Sequence, residues 1–373
     1  MKRSLLYLTL MAFLAGAVAP GPVAWAASST KTTVKSQSAS KAKAKTKKKT
    51  KAKTKKKLKS KQKAKVVARA PTPLRAAAGA TAVGAVTTAG AVAGDLHELN
   101  LKSAAALVID QKTGEALYAK NADIPTSIAS ITKLMTAMVT LDAGLSMDEE
   151  ITINSADVDR LKGTTSRLAL GTTLTRGELM HLALIASENR AASALSRAYP
   201  GGRDAFIAAM NRKARALGMT DSHFVDSTGL NSANKATASD LARMVDAAYR
   251  YPAIRDISTA AGFDVVLPAK KVVKIRENGR IKRVTRDITR QVAFTNTNAL
   301  TRNGEWDIGV SKTGYINEAG RCLVMQARIS EKPVIIVLLD SWGKWSRIGD
   351  ANRIKKWLEE RSHLVSRGNQ DSV

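Results

Sequence analysis

The chain has no acidic residue before Asp95, and within that stretch residues 31–65 carry 17 lysines interleaved with Ala, Thr, Ser and Gln. Such a segment cannot bury enough apolar surface to offset the entropy of ordering it. Like charges four apart also oppose the helix that Ala and Lys would otherwise favour. Whatever folds around a core must therefore lie downstream. Residues 1–26 have a different character: Lys2 and Arg3 precede an apolar run, and Ala24-Trp25-Ala26 fits a small-x-small cleavage site, so this segment reads as a signal peptide of an exported, periplasmic protein. The run is shorter than the roughly 20 residues a membrane helix needs. Residues 27–94 read as a disordered linker, lysine-rich and then Ala/Gly-rich, residues 95–362 as the folded domain, and residues 363–373 as a polar tail.

That boundary also explains the charge. The formal net charge is +29, but 21 of the 60 Lys and Arg precede Asp95, which leaves 39 bases against 31 acids for the rest. The folded part is thus ordinary in charge, and the lysine tract is expected to bind anionic envelope surfaces such as acidic headgroups or wall carboxylates. Unspecific nucleic-acid binding would need nothing more than such a tract, but export argues against that partner. Cys322 is the sole cysteine, so no internal disulfide can form, and its apolar neighbours mark it as a small buried hydrophobe. His97, His181, His223 and His363 are scattered without ligand spacing, so neither a metal nor another cofactor is expected.

Within the domain, residues 103–110 and 115–120 read as a hairpin around Asp110-Gln111-Lys112-Thr113-Gly114, and residues 308–312, 321–329 and 334–339 as three further strands. Two strands early and three late predict one five-stranded antiparallel sheet closed by both chain ends. Apolar residues at three- and four-residue spacing predict helices at 130–141, 176–186, 190–199, 203–217 and 239–249, and a last helix at 344–358 on the opposite face of the sheet. The fold class is therefore α/β mixed, of the α+β kind, with flanking helices and a mostly helical subdomain. Residues 271–277 and 280–286 alternate around Asn278-Gly279, a strong hairpin signal with basic polar positions.

Three short patterns occur in order: Ser130-Ile131-Thr132-Lys133, Ser187-Glu188-Asn189 and Lys312-Thr313-Gly314. This trio belongs to penicillin-binding proteins and class A β-lactamases. Each pattern alone is weak, since Lys112-Thr113-Gly114 and Ser232-Ala233-Asn234 repeat two of them. Context selects. Ser130 opens an apolar helix, where free N–H groups favour developing negative charge. Lys133 lies one turn on, on the same face, within reach of the hydroxyl. To serve as a base it must lose roughly 3 pKa units, on the order of 4 kcal/mol of desolvation and nearby positive charge. Ser187 falls at a break between two helical stretches, from which its hydroxyl can relay a proton to a leaving amine while Asn189 holds Lys133 and the substrate amide. Lys312-Thr313-Gly314 ends a strand whose backbone can pair with an extended peptide. There Lys312 adds positive charge, Thr313 binds a carboxylate and Gly314 leaves room. The early Lys112-Thr113-Gly114 sits in a turn ahead of the nucleophile and is assigned to structure.

From about Leu101 to Glu360 the chain resembles the low-molecular-mass penicillin-binding proteins of the D-alanyl-D-alanine peptidase family, and its D,D-endopeptidase branch fits best. The local wording carries the resemblance: Ile128-Ala129-Ser130-Ile131-Thr132-Lys133-Leu134-Met135, Ser187-Glu188-Asn189-Arg190-Ala191-Ala192, Tyr199-Pro200-Gly201-Gly202, Asn296-Thr297-Asn298 and Lys312-Thr313-Gly314-Tyr315. It implies a penicillin-binding/β-lactamase-like transpeptidase fold, an oxyanion hole from the backbone N–H groups of Ser130 and Tyr315, peptidoglycan stem peptides as substrate, and β-lactams as covalent inhibitors. Alternatives differ by discriminating features. A class A β-lactamase needs a later glutamate for deacylation, and none lies between Glu188 and Glu277. A D,D-carboxypeptidase often adds a C-terminal β-rich domain, whereas a short polar tail follows here. A non-catalytic wall-binding protein would not need the intact trio.

Overall fold

The computed structural model describes residues 99–370 of the chain. The expected signal peptide and lysine tract lie outside the described residues. In chain order the strands begin with β1 (Ser103–Asp110), β2 (Ala116–Lys120) and the short β3 (Thr126–Ser127), after which helix α1 (Thr132–Asp142) starts. Short strands β4 (Glu150–Thr152) and β5 (Thr173–Thr175) pair ahead of helices α2 (Arg176–Ile185), α3 (Asn189–Arg197) and α4 (Gly202–Ala216). The two-residue β6 (Lys235–Ala236), helices α5 (Ala238–Tyr249) and α6 (Pro252–Thr259), and the long strands β7 (Gly262–Glu277) and β8 (Arg280–Thr295) follow. The chain closes with β9 (Asp307–Ile316), β10 (Gly320–Ile329), β11 (Lys332–Ser341) and α7 (Ser346–Gln370).

The five-stranded sheet has the order β2-β1-β11-β10-β9, with every pairing antiparallel, as the split of two early and three late strands predicted. β10 and β11 are apolar on both faces because both faces are covered. Leu107, Val324, Ile335, Val337 and Leu339 point into the main core with α1, α2 and α5. The alternate positions Ala106, Val108, Leu323, Met325, Ile336 and Leu338 meet Ala351 and Ile354 of α7 on the other side. The sheet is thus a central layer between a helical cluster and one long helix. Cys322 is buried in the main core, where burial pushes its thiol pKa up to about 11, consistent with a packing role.

Several local starts follow sequence rules. Thr175 and Glu178 form a reciprocal capping box at the start of α2, and the Thr237 hydroxyl accepts from Asp240 N–H at the start of α5. The differences from expectation have physical causes. α6 was not anticipated, although Pro252 at its first turn is a helix-start signal. α7 runs to Gln370 rather than ending at Leu358. The basic hairpin is longer than residues 271–286. Its arms are sixteen residues each, because Pro268 and the run Val265-Val266-Leu267 obscure an alternation that in fact continues. Asn278 and Gly279 both have positive φ, as a two-residue primed turn requires.

Candidate active site

Ser130 does not sit in α1 itself but in one 3-10 turn, Ala129–Ile131, that leads into it. Every residue of α1 from Thr132 to Thr140 is buried, so the helix carries Lys133 into the interior. The Lys133 Nζ lies 2.8 Å from Ser130 Oγ, 2.8 Å from Asn189 Oδ1 and 2.6 Å from the Thr228 carbonyl oxygen. Burial lowers its pKa from 10.5 to about 7, against the opposing pull of the Asp226 and Glu188 carboxylates. A neutral amine has two N–H groups. Were both to go to Asn189 and Thr228, the lone pair would be left for the Ser130 hydroxyl.

The Thr228 carbonyl reaches Lys133 on a loop that Asp226 folds. One Asp226 oxygen accepts from the N–H groups of Thr228 and Gly229 and from the Thr228 hydroxyl, and the other accepts from Asn231 N–H. Gly229, at φ 79°, is pressed against the Ser130 turn: a Cβ there would stand 1.9 Å from the Ala129 carbonyl oxygen. Only glycine fits this approach. Asn234 ties the loop to α1 by donating to Thr132 Oγ1 at 3.0 Å and accepting from Val225 N–H at 2.7 Å. The second S-x-N thus braces the loop.

Ser187 joins α2 to α3 at φ 58°, a left-handed conformation that costs a non-glycine residue on the order of 1–2 kcal/mol. The turn is held by Glu188, whose N–H donates to Leu182 and whose carboxylate accepts from Ser166 Oγ at 2.8 Å and from Arg167 N–H. The Ser187 side chain lines the cleft and makes no hydrogen bond within the described residues. Asn189 Nδ2 donates to Thr164 Oγ1 at 3.1 Å, which fixes the amide that Lys133 uses.

β9 supplies the opposite wall. A Cβ on Gly314 would stand 2.9 Å from the Ile128 carbonyl oxygen and 3.1 Å from Ser130 N, so the strand backbone runs hard against the Ser130 turn. Thr313 Oγ1 shares a 2.7 Å hydrogen bond with Thr297 Oγ1. Tyr315 is about half exposed, with the Arg321 guanidinium over its ring at 4.5 Å. Lys312 differs from expectation: it is buried, it is absent from the cleft lining, and its Nζ donates to the Thr313 carbonyl oxygen at 3.0 Å. Burial and the nearby charges of Lys133 and Arg347 push its pKa well below the usual lysine range. Two cations do line the cleft: Lys162, which pairs with Glu318, and Arg347 of α7, which donates to the Gly314 carbonyl oxygen at 3.3 Å while its buried Nε has no partner among the described residues.

Ser130, Ser187, Asn189, Thr313, Gly314 and Tyr315 thus line one cleft of about 520 Å³, with Lys133 bonded to its lining. Sequence reasoning missed the Thr228 carbonyl, Thr297 and Arg347. The Asp226-Ser227-Thr228-Gly229 turn signal could have marked the first. The early Lys112-Thr113-Gly114 lies in the β1–β2 turn, where the Asp110 carboxylate accepts from the N–H groups of Lys112 and Thr113, in keeping with its structural assignment.

Known proteins resemble this chain in sequence and in fold. The D-alanyl-D-alanine carboxypeptidase family profile matches residues 91–343. The D-alanyl-D-alanine endopeptidase of Pseudomonas aeruginosa is 44% identical over 259 residues, 69% of this chain and 78% of that protein. The crystal structure of the Streptomyces K15 DD-transpeptidase superposes with TM-score 0.59 at 28% identity, over 69% of this chain and 97% of that one. Penicillin-binding protein D2 from Listeria monocytogenes, in its ampicillin-bound form, gives TM-score 0.55 at 26% identity, over 69% and 96%.

Proposed function

The chain belongs to the D-alanyl-D-alanine carboxypeptidase family and is a serine D-alanyl-D-alanine peptidase, and from that premise we propose that it is an exported, periplasmic D,D-endopeptidase that hydrolyses D-alanyl cross-links of peptidoglycan through an acyl-enzyme. The observation that carries this reading is the 2.8 Å contact of Lys133 with Ser130, made by an amine whose pKa burial lowers to about 7. Lys133 takes the hydroxyl proton as Ser130 Oγ attacks the D-alanyl carbonyl carbon. The negative charge on the carbonyl oxygen is received by the N–H groups of Ser130 and Tyr315, an arrangement typically worth about 3–4 kcal/mol per donor. As the peptide bond breaks, Ser187 passes its proton to the departing amine and is reprotonated from Lys133, which becomes neutral again, and an ester to Ser130 remains. Water then attacks the ester, Lys133 accepts its proton and passes it to Ser130 Oγ as the ester bond breaks, and the free enzyme is restored. Thr313, Gly314 and the β9 backbone hold the substrate as an added strand. Asn189 orients Lys133, and the half-buried Arg347 in the cleft lining biases the site toward an anionic ligand.

A β-lactam presents its strained amide to the same serine, so Ser130 forms a covalent penicilloyl ester by the first half of this reaction. The preference for a cross-link over a terminal D-alanine rests on the 44% identity to a D-alanyl-D-alanine endopeptidase. In this reading the lysine tract of residues 31–65 holds the enzyme to anionic envelope surfaces, so its deletion abolishes salt-sensitive retention on isolated envelopes. Fluorescent penicillin labelling followed by mass analysis of products from purified cross-linked muropeptides tests the main assignment. Release of monomers is the expected result, and loss of only a terminal alanine would replace it with carboxypeptidase activity.

A further inference from the structure

β7 and β8 pair along their whole length, from Gly262 with Thr295 to Glu277 with Arg280. At about 3.3 Å per residue, arms of sixteen residues reach roughly 50 Å. Only the first rungs are buried in the body, through Val265, Leu267, Val292 and Phe294. Beyond Pro268 two strands stand without a third, an arrangement that is marginal in water by itself. Residues 270–290 carry nine Lys and Arg against two acids. Cations directly face each other across the strands, Lys271 with Arg286 and Lys274 with Arg283, which weakens the pairing. Among the described residues the one ion pair inside the ribbon joins Lys282 to Glu277. This uncompensated charge fits a segment whose counter-charge arrives with a partner.

The distribution of charge selects the partner. Lys270, Lys274, Arg276 and Arg283 share one face of the ribbon, and Lys271, Arg280, Lys282 and Arg286 share the other. A ribbon lying on a lipid surface would collect its apolar residues on one face and its cations on the opposite one. Here both faces are cationic, and the exposed apolar residues Val272 and Ile281 lie among Lys270, Lys274, Arg276 and Arg283 rather than on a face free of charge. A flexible polymer bearing spaced carboxylates can contact both faces. The base of the ribbon is built into the cleft wall. β8 leads through Asn296 into Thr297, which lines the cleft and bonds Thr313. Arg167 stacks on Phe294 at 3.6 Å and donates to the Ala293 carbonyl oxygen, one residue from the Ser166 that holds Glu188.

We propose that the β7–β8 ribbon is a second, electrostatic binding arm for polymeric peptidoglycan, gripping the free carboxylates of stem peptides that neighbour the one in the cleft. The inference rests on the endopeptidase reading and specifies its substrate as the polymeric wall rather than soluble fragments. It is tested on the full chain by Lys271→Gln, Lys274→Gln, Arg283→Gln and Arg286→Gln together, with the lysine tract retained in both proteins. Binding to isolated sacculi is read by co-sedimentation in a Ser130→Ala background, so that it does not depend on which bond the enzyme cuts. The quadruple variant is expected to bind sacculi about tenfold more weakly at low salt, and the difference should vanish at high salt. With Ser130 restored, cleavage of a soluble cross-linked dimer and penicillin labelling should match the wild type. Unchanged sacculus binding overturns the proposal. So does a loss seen only with anionic phospholipid vesicles, which would identify a membrane partner, and so does equal slowing on the soluble dimer, which would mean damage to the cleft.

Discussion

The cleft and the ribbon are both built around lysine, yet they use it in opposite ways. Lys133 is buried, held by three partners at 2.6–2.8 Å, and its pKa falls to about 7. Lys274, on the ribbon, is exposed and takes part in no ion pair among the described residues. Desolvation lowers the pKa of the first amine, whereas the second is an exposed side chain whose interactions are screened by salt and count only in numbers. The residue type therefore says little about chemistry until its burial is known.

The largest expected effect breaks this contrast at the cleft. Lys133→Arg keeps a positive charge but cannot deprotonate, so acylation by a β-lactam should fall about 1000-fold or more, as far as with Lys133→Ala. A variant that kept most of its rate would mean that Lys133 acts through charge alone, as the ribbon lysines do. A smaller effect concerns how the burial is built. Gly229→Ala places a methyl 1.9 Å from the Ala129 carbonyl oxygen at a positive φ. It should cost about 3 kcal/mol in denaturant unfolding, along with a loss of acylation as the Thr228 carbonyl shifts. Unchanged stability would show that the loop is not pressed on the nucleophile turn. The smallest effect belongs to the ribbon. Lys274→Gln alone should leave stability within about 0.5 kcal/mol and soluble-substrate turnover unaltered, and any larger change would mean that the ribbon packs on the body beyond Pro268.

The order of the three motifs and the two-plus-three division of strands were legible because each depends on side-chain type or on a two-residue period. Ser130, Ser187, Asn189, Thr313 and Gly314 meet in the cleft as their spacing on helix, break and strand ends implied. The partners that complete the site were not legible for specific reasons. Thr228 contributes a backbone carbonyl, which leaves no signature of its own in the sequence. Arg347 comes from a helix on the far side of the sheet, where a surface arginine would look the same. Lys312 was expected to add positive charge beside the substrate, but nothing in an alternating strand distinguishes a lysine turned away from the cleft from one turned into it. The ribbon's full length was hidden by Pro268, which is tolerated because a two-stranded ribbon has only edge strands.

The direct test of a neutral Lys133 is the pH dependence of the second-order rate of Ser130 acylation by a β-lactam, which reports the free-enzyme pKa of the proton acceptor. Because burial lowers that pKa to about 7, the base form is lost as pH falls through 7. The rate should therefore drop about tenfold per unit well below that point and be flat from about 8 to 9. A rate that keeps climbing toward pH 10 in the wild type would show a lysine of ordinary pKa and contradict the account.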